Sequence, residues 1–123
     1  MAKKILIIED ERALCDALIT KFKKEKFDVL VGYDGEAGLE LALSEHPDLI
    51  LLDIVMPKMD GMTMLARLRR DNWGKDVPVV ILTNLSDELK VVEAVKNKSF
   101  DYLVKSDWHL DDVVEKVRQR LGL

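Results

Sequence analysis

Asp48-Leu49-Ile50-Leu51-Leu52-Asp53-Ile54-Val55-Met56-Pro57-Lys58-Met59-Asp60-Gly61 is the stretch whose reading decides the fold. Its apolar run, Leu49 to Leu52, is too short for a helix and is bounded by turn signals at Pro47-Asp48 and at Pro57. That pattern predicts a strand buried on both faces. The run stops at a carboxylate, Asp53. Desolvating a lone carboxylate is costly, so a charge at the end of a buried strand calls for a reason. In open parallel sheets, ligands bind just beyond the carboxyl ends of the strands.

Other apolar runs deliver polar groups in the same way. Ile5-Leu6-Ile7-Ile8 stops at Glu9-Asp10, Val79-Val80-Ile81-Leu82 at Thr83, and Tyr102-Leu103-Val104 at Lys105. Each ending alone is a weak signal, because every strand must end in something polar. Together they supply acids, a hydroxyl and an ammonium to one edge of one sheet.

Between these runs the periodicity changes to helical spacing. Ala13, Leu14, Ala17, Leu18 and Phe22 recur at three- and four-residue steps and predict the buried face of a first helix, which Glu9 or Asp10 would cap. The cationic run Lys21 to Lys26 suits the negative end of that helix. A short second strand is predicted over Phe27–Val31, then a second helix after Asp34-Gly35 with Ala37, Leu41 and Ala42 inward. Gly38 weakens that helix by ~1 kcal/mol relative to alanine. A third helix is predicted from about Met59 to Arg70, packed through Met62, Leu65 and Leu68. Strands at Val77–Leu82 and Phe100–Val104 flank a fourth helix that starts at Ser86 and turns Leu89, Val92 and Val95 inward. A last helix from about Trp108 carries Leu110, Val113, Val114, Val117 and Leu121 on one face. Five strand–helix alternations with short loops imply an α/β parallel sheet covered on both faces.

Composition narrows the function. The 123 residues fit one domain, expected to span the whole chain, with 48% hydrophobic and 34% charged residues. A net charge of −4 argues against a nucleic-acid-binding role for this domain. No apolar run approaches the ~20 residues of a membrane span, and the N-terminal run is too short for a signal peptide. The single cysteine, Cys15, can form no internal disulfide and is expected to be a small core or boundary residue. A reducing, cytoplasmic setting follows as the default.

With Glu9-Asp10, Asp53, Met56-Pro57, Asp60-Gly61, Thr83, Tyr102 and Lys105 in this order and spacing, the chain resembles the receiver domain of two-component response regulators, from about Lys3 to Leu121. The resemblance is to stand-alone, chemotaxis-regulator-like receivers. It implies a flavodoxin-like (βα)5 fold with strand order 2-1-3-4-5. It implies phosphorelay signalling: Asp53 accepts a phosphoryl group from a histidine kinase or phosphotransfer protein, and the domain catalyses its own phosphorylation and dephosphorylation without being a turnover enzyme. The implied cofactor is Mg²⁺, held by Glu9, Asp10, Asp53 and the backbone carbonyl of Val55. An all-oxygen carboxylate set suits that ion, and three close carboxylates call for a cation or a shifted pKa. Thr83 and Lys105 would contact the phosphoryl oxygens. Thr83 and Tyr102 would form the switch that alters the surface of the fourth helix, fifth strand and fifth helix, where a protein target binds. A monomer or weak phosphorylation-dependent dimer is implied, with no membrane contact.

Three positions depart from the family pattern. The acidic pair is Glu9-Asp10 rather than two aspartates; Asn84 stands where a small residue is usual; Ser106 replaces the proline after Lys105. A cis bond before a non-proline costs ~2.5–4 kcal/mol, so a trans Lys105–Ser106 bond is expected. The rival readings are a phosphorylation-independent pseudo-receiver, a flavin carrier and a metal-dependent phosphatase. The flavin reading is disfavoured because Glu9-Asp10-Glu11-Arg12 would repel phosphate where that class cradles it. The phosphatase reading wants a substrate pocket or cap, for which 123 residues leave little chain.

Overall fold

A computed structural model describes residues 2–54, 56–83, 101–104 and 109–123, with Thr83 and 101–104 described through their backbone. The expected fourth helix, the Val55 carbonyl, Asn84, Lys105, Ser106 and Trp108 lie outside the described residues.

The apolar runs become strands: β1 Lys4–Ile8, β2 Asp28–Gly32, β3 Leu49–Asp53, β4 Val79–Thr83 and β5 Asp101–Val104. They form one parallel sheet in the order β2-β1-β3-β4-β5. The described helices are α1 Arg12–Lys24, α2 Gly35–Glu45, α3 Gly61–Arg69 and α4 Leu110–Leu121. The observed bounds differ from the predicted ones by a residue or two, as helix and strand ends commonly do.

The pleat divides the core into two layers. Leu6, Ile8, Ile50, Leu52, Val79 and Ile81 face one way and pack with Ala42 of α2 and Met64, Leu65 and Leu68 of α3. Ile5, Ile7, Leu49, Leu51, Val80 and Leu82 face the other way, onto Cys15, Leu18 and Phe22 of α1 and Val113, Val114 and Val117 of α4. The central strands are therefore apolar from Ile5 to Ile8, Leu49 to Leu52 and Val79 to Leu82, because both faces are covered there.

Helix azimuths departed from the expected faces in two places. In α1, Ala13 is exposed, whereas Cys15 is buried, as expected of a small core residue. Turning the helix this way brings Cys15 and Ile19 to the core and leaves out an alanine, which has little apolar area to bury. In α3, Met64 is fully buried, while Met62 packs only partly.

Gly38, the apparent weak point of α2, is where its backbone lies against Ile8 of the sheet. A Cβ there would lie 2.5 Å from Ile8 Cδ1 and 2.7 Å from Cγ1 and Cγ2. Gly38→Ala gains ~1 kcal/mol of helix propensity but overpacks a site where such insertions cost ~1–3 kcal/mol. The expected outcome is a net destabilisation of ~1 kcal/mol in urea unfolding, relieved in part by Ile8→Val.

Candidate functional site

The site is built by register and pleat. Ile8 pairs with Leu52 across β1 and β3. Glu9 and Asp53, one residue further, are therefore level at the carboxyl edge of the sheet. They also share parity with Ile5, Ile7, Leu49 and Leu51, so both continue the same face. Glu9 is fully buried and Asp53 is 3% exposed. Asp10 follows on the rim, exposed. Carboxylate oxygens of Glu9, Asp10 and Asp53 all lie within 4.8 Å of one another.

Helix capping does not explain the acidic pair. The N-cap of α1 is Glu11, whose side chain makes no capping bond. Glu9 instead accepts a hydrogen bond from Glu11 N through Oε2 at 3.1 Å, and Glu9 N donates to Gly32 O at 3.1 Å. These bonds fix the turn after β1 with the Glu9 carboxylate directed along the sheet edge.

The loop after β3 is held as tightly. Gly61 N donates to Ile54 O at 2.7 Å, and Met59 N to Pro57 O at 2.7 Å. Lys58 takes a left-handed φ of 66° at the bend. Met56 is buried and joins the α2–α3 core layer, with Met59 packed partly against it. Asp60 caps α3, its Oδ1 accepting from Thr63 N at 2.8 Å. Gly61 sits directly on the end of β3, where a Cβ would fall 2.2 Å from Asp53 O. The Met56-Pro57 and Asp60-Gly61 pairs thus clamp the backbone that carries Asp53.

Thr83 is the last residue of β4 and pairs with Val104 of β5; Tyr102 of β5 pairs with Ile81. Asp53 pairs with Leu82, so the Thr83 backbone reaches the same edge one residue beyond. Lys105 and the Val55 carbonyl lie outside the described residues.

Cys15 is close by but is not part of the ligand set. Its Sγ donates to Glu9 O at 3.1 Å, and burial, with the neighbouring Glu9 charge, pushes its thiol up from 9.0 to about 11. It stays a protonated thiol at neutral pH, unsuited to binding a hard cation.

Two features were missed from the sequence. Arg12 lies over the Tyr33 ring, its Cζ 3.6 Å from the centroid, and Lys58 pairs with Asp34 at 3.6 Å. Tyr33 and Asp34 directly follow Gly32, whose carbonyl accepts from Glu9 N, and neither contact follows a local spacing rule.

The arrangement can hold a divalent cation on oxygen ligands beside a carboxylate at a strand end. Among the described residues no helix is long and apolar enough to cross a membrane. Residues 5–118 match the response regulator receiver domain family. Over 118 residues the chain is 36% identical to the DNA-binding dual master transcriptional regulator RpaA of Synechocystis sp., covering 96% of this chain and 48% of that protein. It therefore spans about half the length of that relative. The Francisella response regulator 1452 receiver domain is 31% identical, with a TM-score of 0.86 over 98% of this chain and 97% of that one. The receiver domain of a Pseudomonas aeruginosa sensor histidine kinase, solved with a magnesium ion in its active-site cleft, shares the fold at 22% identity and a TM-score of 0.86, with both chains fully covered. A sheet of order 2-1-3-4-5 that brings an acidic pair level with a strand-end aspartate, matched along nearly its whole length, makes this chain a member of the response regulator receiver domain family.

Proposed function

We propose that the protein is a Mg²⁺-dependent phosphoacceptor of a two-component phosphorelay, with Asp53 as the acceptor. The observation that carries this reading is the meeting of Glu9, Asp10 and Asp53 carboxylates within 4.8 Å at the ends of adjacent strands. Such a cluster is electrostatically costly without a cation: two carboxylates ~4 Å apart repel by ~4 kcal/mol at an effective dielectric of ~20. Hard oxygen donors fit Mg²⁺, which takes one or two carboxylates and keeps water and phosphate oxygens as its other ligands. Glu9, Asp10, Asp53 and the Val55 carbonyl are the proposed holders. The Pseudomonas receiver domain of the same fold, with magnesium in its cleft, supports that assignment. When bound, the ion neutralises charge on the phosphoryl oxygens.

The chain's own residues do the rest. A carboxylate oxygen of Asp53 forms the new bond to phosphorus as the bond from phosphorus to the donor's histidine nitrogen breaks, and that nitrogen keeps the electron pair. The clamped loop after β3 holds Asp53 for in-line attack. Thr83 and Lys105 are proposed to bind the transferred oxygens. The phosphate adds about −1.5 to −2 charges, which draws Thr83 toward it and lets Tyr102 turn inward. The proposed readout is the surface of β5, α4 and the helix expected from Ser86, where a protein target binds. A histidine kinase or phosphotransfer protein is the proposed donor, in a cytoplasmic setting.

The test is intact mass spectrometry after incubation with acetyl phosphate, with Mg²⁺ and with the metal removed by chelation. A single phosphoryl adduct formed only with Mg²⁺ is expected. No adduct at any reaction time, with Mg²⁺ binding verified by titration, would favour a phosphorylation-independent binding module instead.

A further inference from the structure

The acidic pocket is bordered on its β2 side by two cations, each held by one residue of a single short turn. β2 ends at Gly32, whose carbonyl accepts from Glu9 N, so Tyr33 and Asp34 lie level with the acidic pair. Arg12, the first residue of α1, stacks on Tyr33 from one side of the sheet. Lys58, in the loop after Asp53, reaches Asp34 from the other side, Nζ to Oδ2, with its side chain still 66% exposed. That loop is already pressed against α2, because a Cβ on Gly35 would lie 2.0 Å from Met59 O.

Neither cation is needed where it rests. Asp34 caps α2 through Oδ1, accepting from Ala37 N at 2.7 Å, and meets Lys58 through its other oxygen, Oδ2. The Arg12 side chain is on the exposed surface. Ion pairs and ring stacking at such exposure contribute little stability and are easily given up. A phosphodonor, by contrast, arrives as an anion at a cluster of three carboxylates, Glu9, Asp10 and Asp53. Positive charge at such an entrance raises the encounter rate and turns the anion inward.

We infer that Arg12 and Lys58 form a cationic rim that captures an anionic phosphoryl donor and orients it toward Asp53. This rests on the phosphoacceptor reading above. Both are positioning residues: they hydrogen-bond the donor's oxygens and exchange no bonds. With an acyl phosphate, the Asp53 oxygen–phosphorus bond forms, the phosphorus–oxygen bond to the acyl group breaks, and the carboxylate leaves with the electron pair.

The test uses the full chain with Mg²⁺ and acetyl phosphate at low ionic strength, following adduct formation by intact mass. The variants are Arg12→Gln, Lys58→Gln, their combination, Arg12→Lys and Lys58→Arg, with Lys75→Gln as a remote control. Circular dichroism normalises each rate to folded protein. Each glutamine variant is expected to be about threefold slower and the pair about tenfold slower, within the range of electrostatic steering. The charge-keeping variants recover most of the rate, and about 0.5 M salt narrows all differences to under about twofold. Glutamine variants as fast as the wild type at low salt would overturn the rim. So would a loss that persists in salt and is not recovered by the other cation. A wild type that takes no phosphoryl group would overturn the phosphoacceptor reading and the rim with it, an outcome distinct from variants that match a reactive wild type.

Discussion

Asp53→Asn is expected to abolish the phosphoryl adduct while leaving the fold in place. The amide has the size of the carboxylate, so the clamp of Gly61 on Asp53 O and the pairing of Asp53 with Leu82 involve backbone that the substitution does not alter. What disappears is the proposed nucleophile. An amide oxygen offers no anionic lone pair to phosphorus, and in-line attack needs a nucleophilic oxygen held at that one position. The substitution also removes one charge from a three-carboxylate site, so Mg²⁺ binding should weaken by at least about tenfold, since ligand charge count sets affinity in such sites. Two measurements check this: intact mass after reaction with acetyl phosphate, and Mg²⁺ titration of the unmodified variant. An adduct of undiminished yield on Asp53→Asn would move the acceptor elsewhere, and peptide mapping would then find it.

Gly61→Ala is expected to have the second largest effect and to act through backbone. The added Cβ would lie 2.2 Å from Asp53 O, 2.8 Å from Ile54 Cα and 3.0 Å from Asp53 C. These are main-chain atoms and cannot rotate away as a side chain can. Relief requires lifting the start of α3, which breaks the 2.7 Å bond from Gly61 N to Ile54 O. Overpacking of this kind costs ~1–3 kcal/mol, and the lost bond places this site at the upper end. The melting temperature should fall by about 10 °C, given a few degrees per kcal/mol at this size. The phosphorylation rate per folded molecule should also fall by at least about tenfold, since displacements near 1 Å at a reacting group are that costly. Leu68→Ala is the control. It empties a fully buried position in the same helix, with a similar or larger stability loss of ~2–5 kcal/mol. It leaves Asp53 in place and should keep the wild-type rate per folded molecule. Equal rate losses in both variants would show that stability, not the position of Asp53, sets the rate.

Four of the five strands were legible in the sequence as short apolar runs closed by a polar residue, the pattern that burial of a central strand on both faces produces. The edge chemistry was legible too: a charge at the end of a buried strand is costly, so Asp53 and Glu9-Asp10 stood out before any coordinates. The family resemblance supplied the strand order, and with that order the register brings Glu9 level with Asp53.

What only the tertiary structure decided is the set of contacts between elements. The turn of α1 that buries Cys15 and exposes Ala13 depends on which stripe has more apolar area to hide, and several stripes satisfy the same helical period. Gly38 read as a flaw in a helix and proved to be the point where α2 meets Ile8, because a missing Cβ has a local cost and a non-local benefit. The same holds for Gly61 against Asp53 O. Tyr33 and Asp34 carry no motif, yet they hold Arg12 and Lys58 beside the acidic site because β2 lies next to β1 and the loop after β3 folds back against α2. Periodicity narrows the faces an element can bury; which one is buried, and which residues far apart in the chain meet, follows only from how the layers stack.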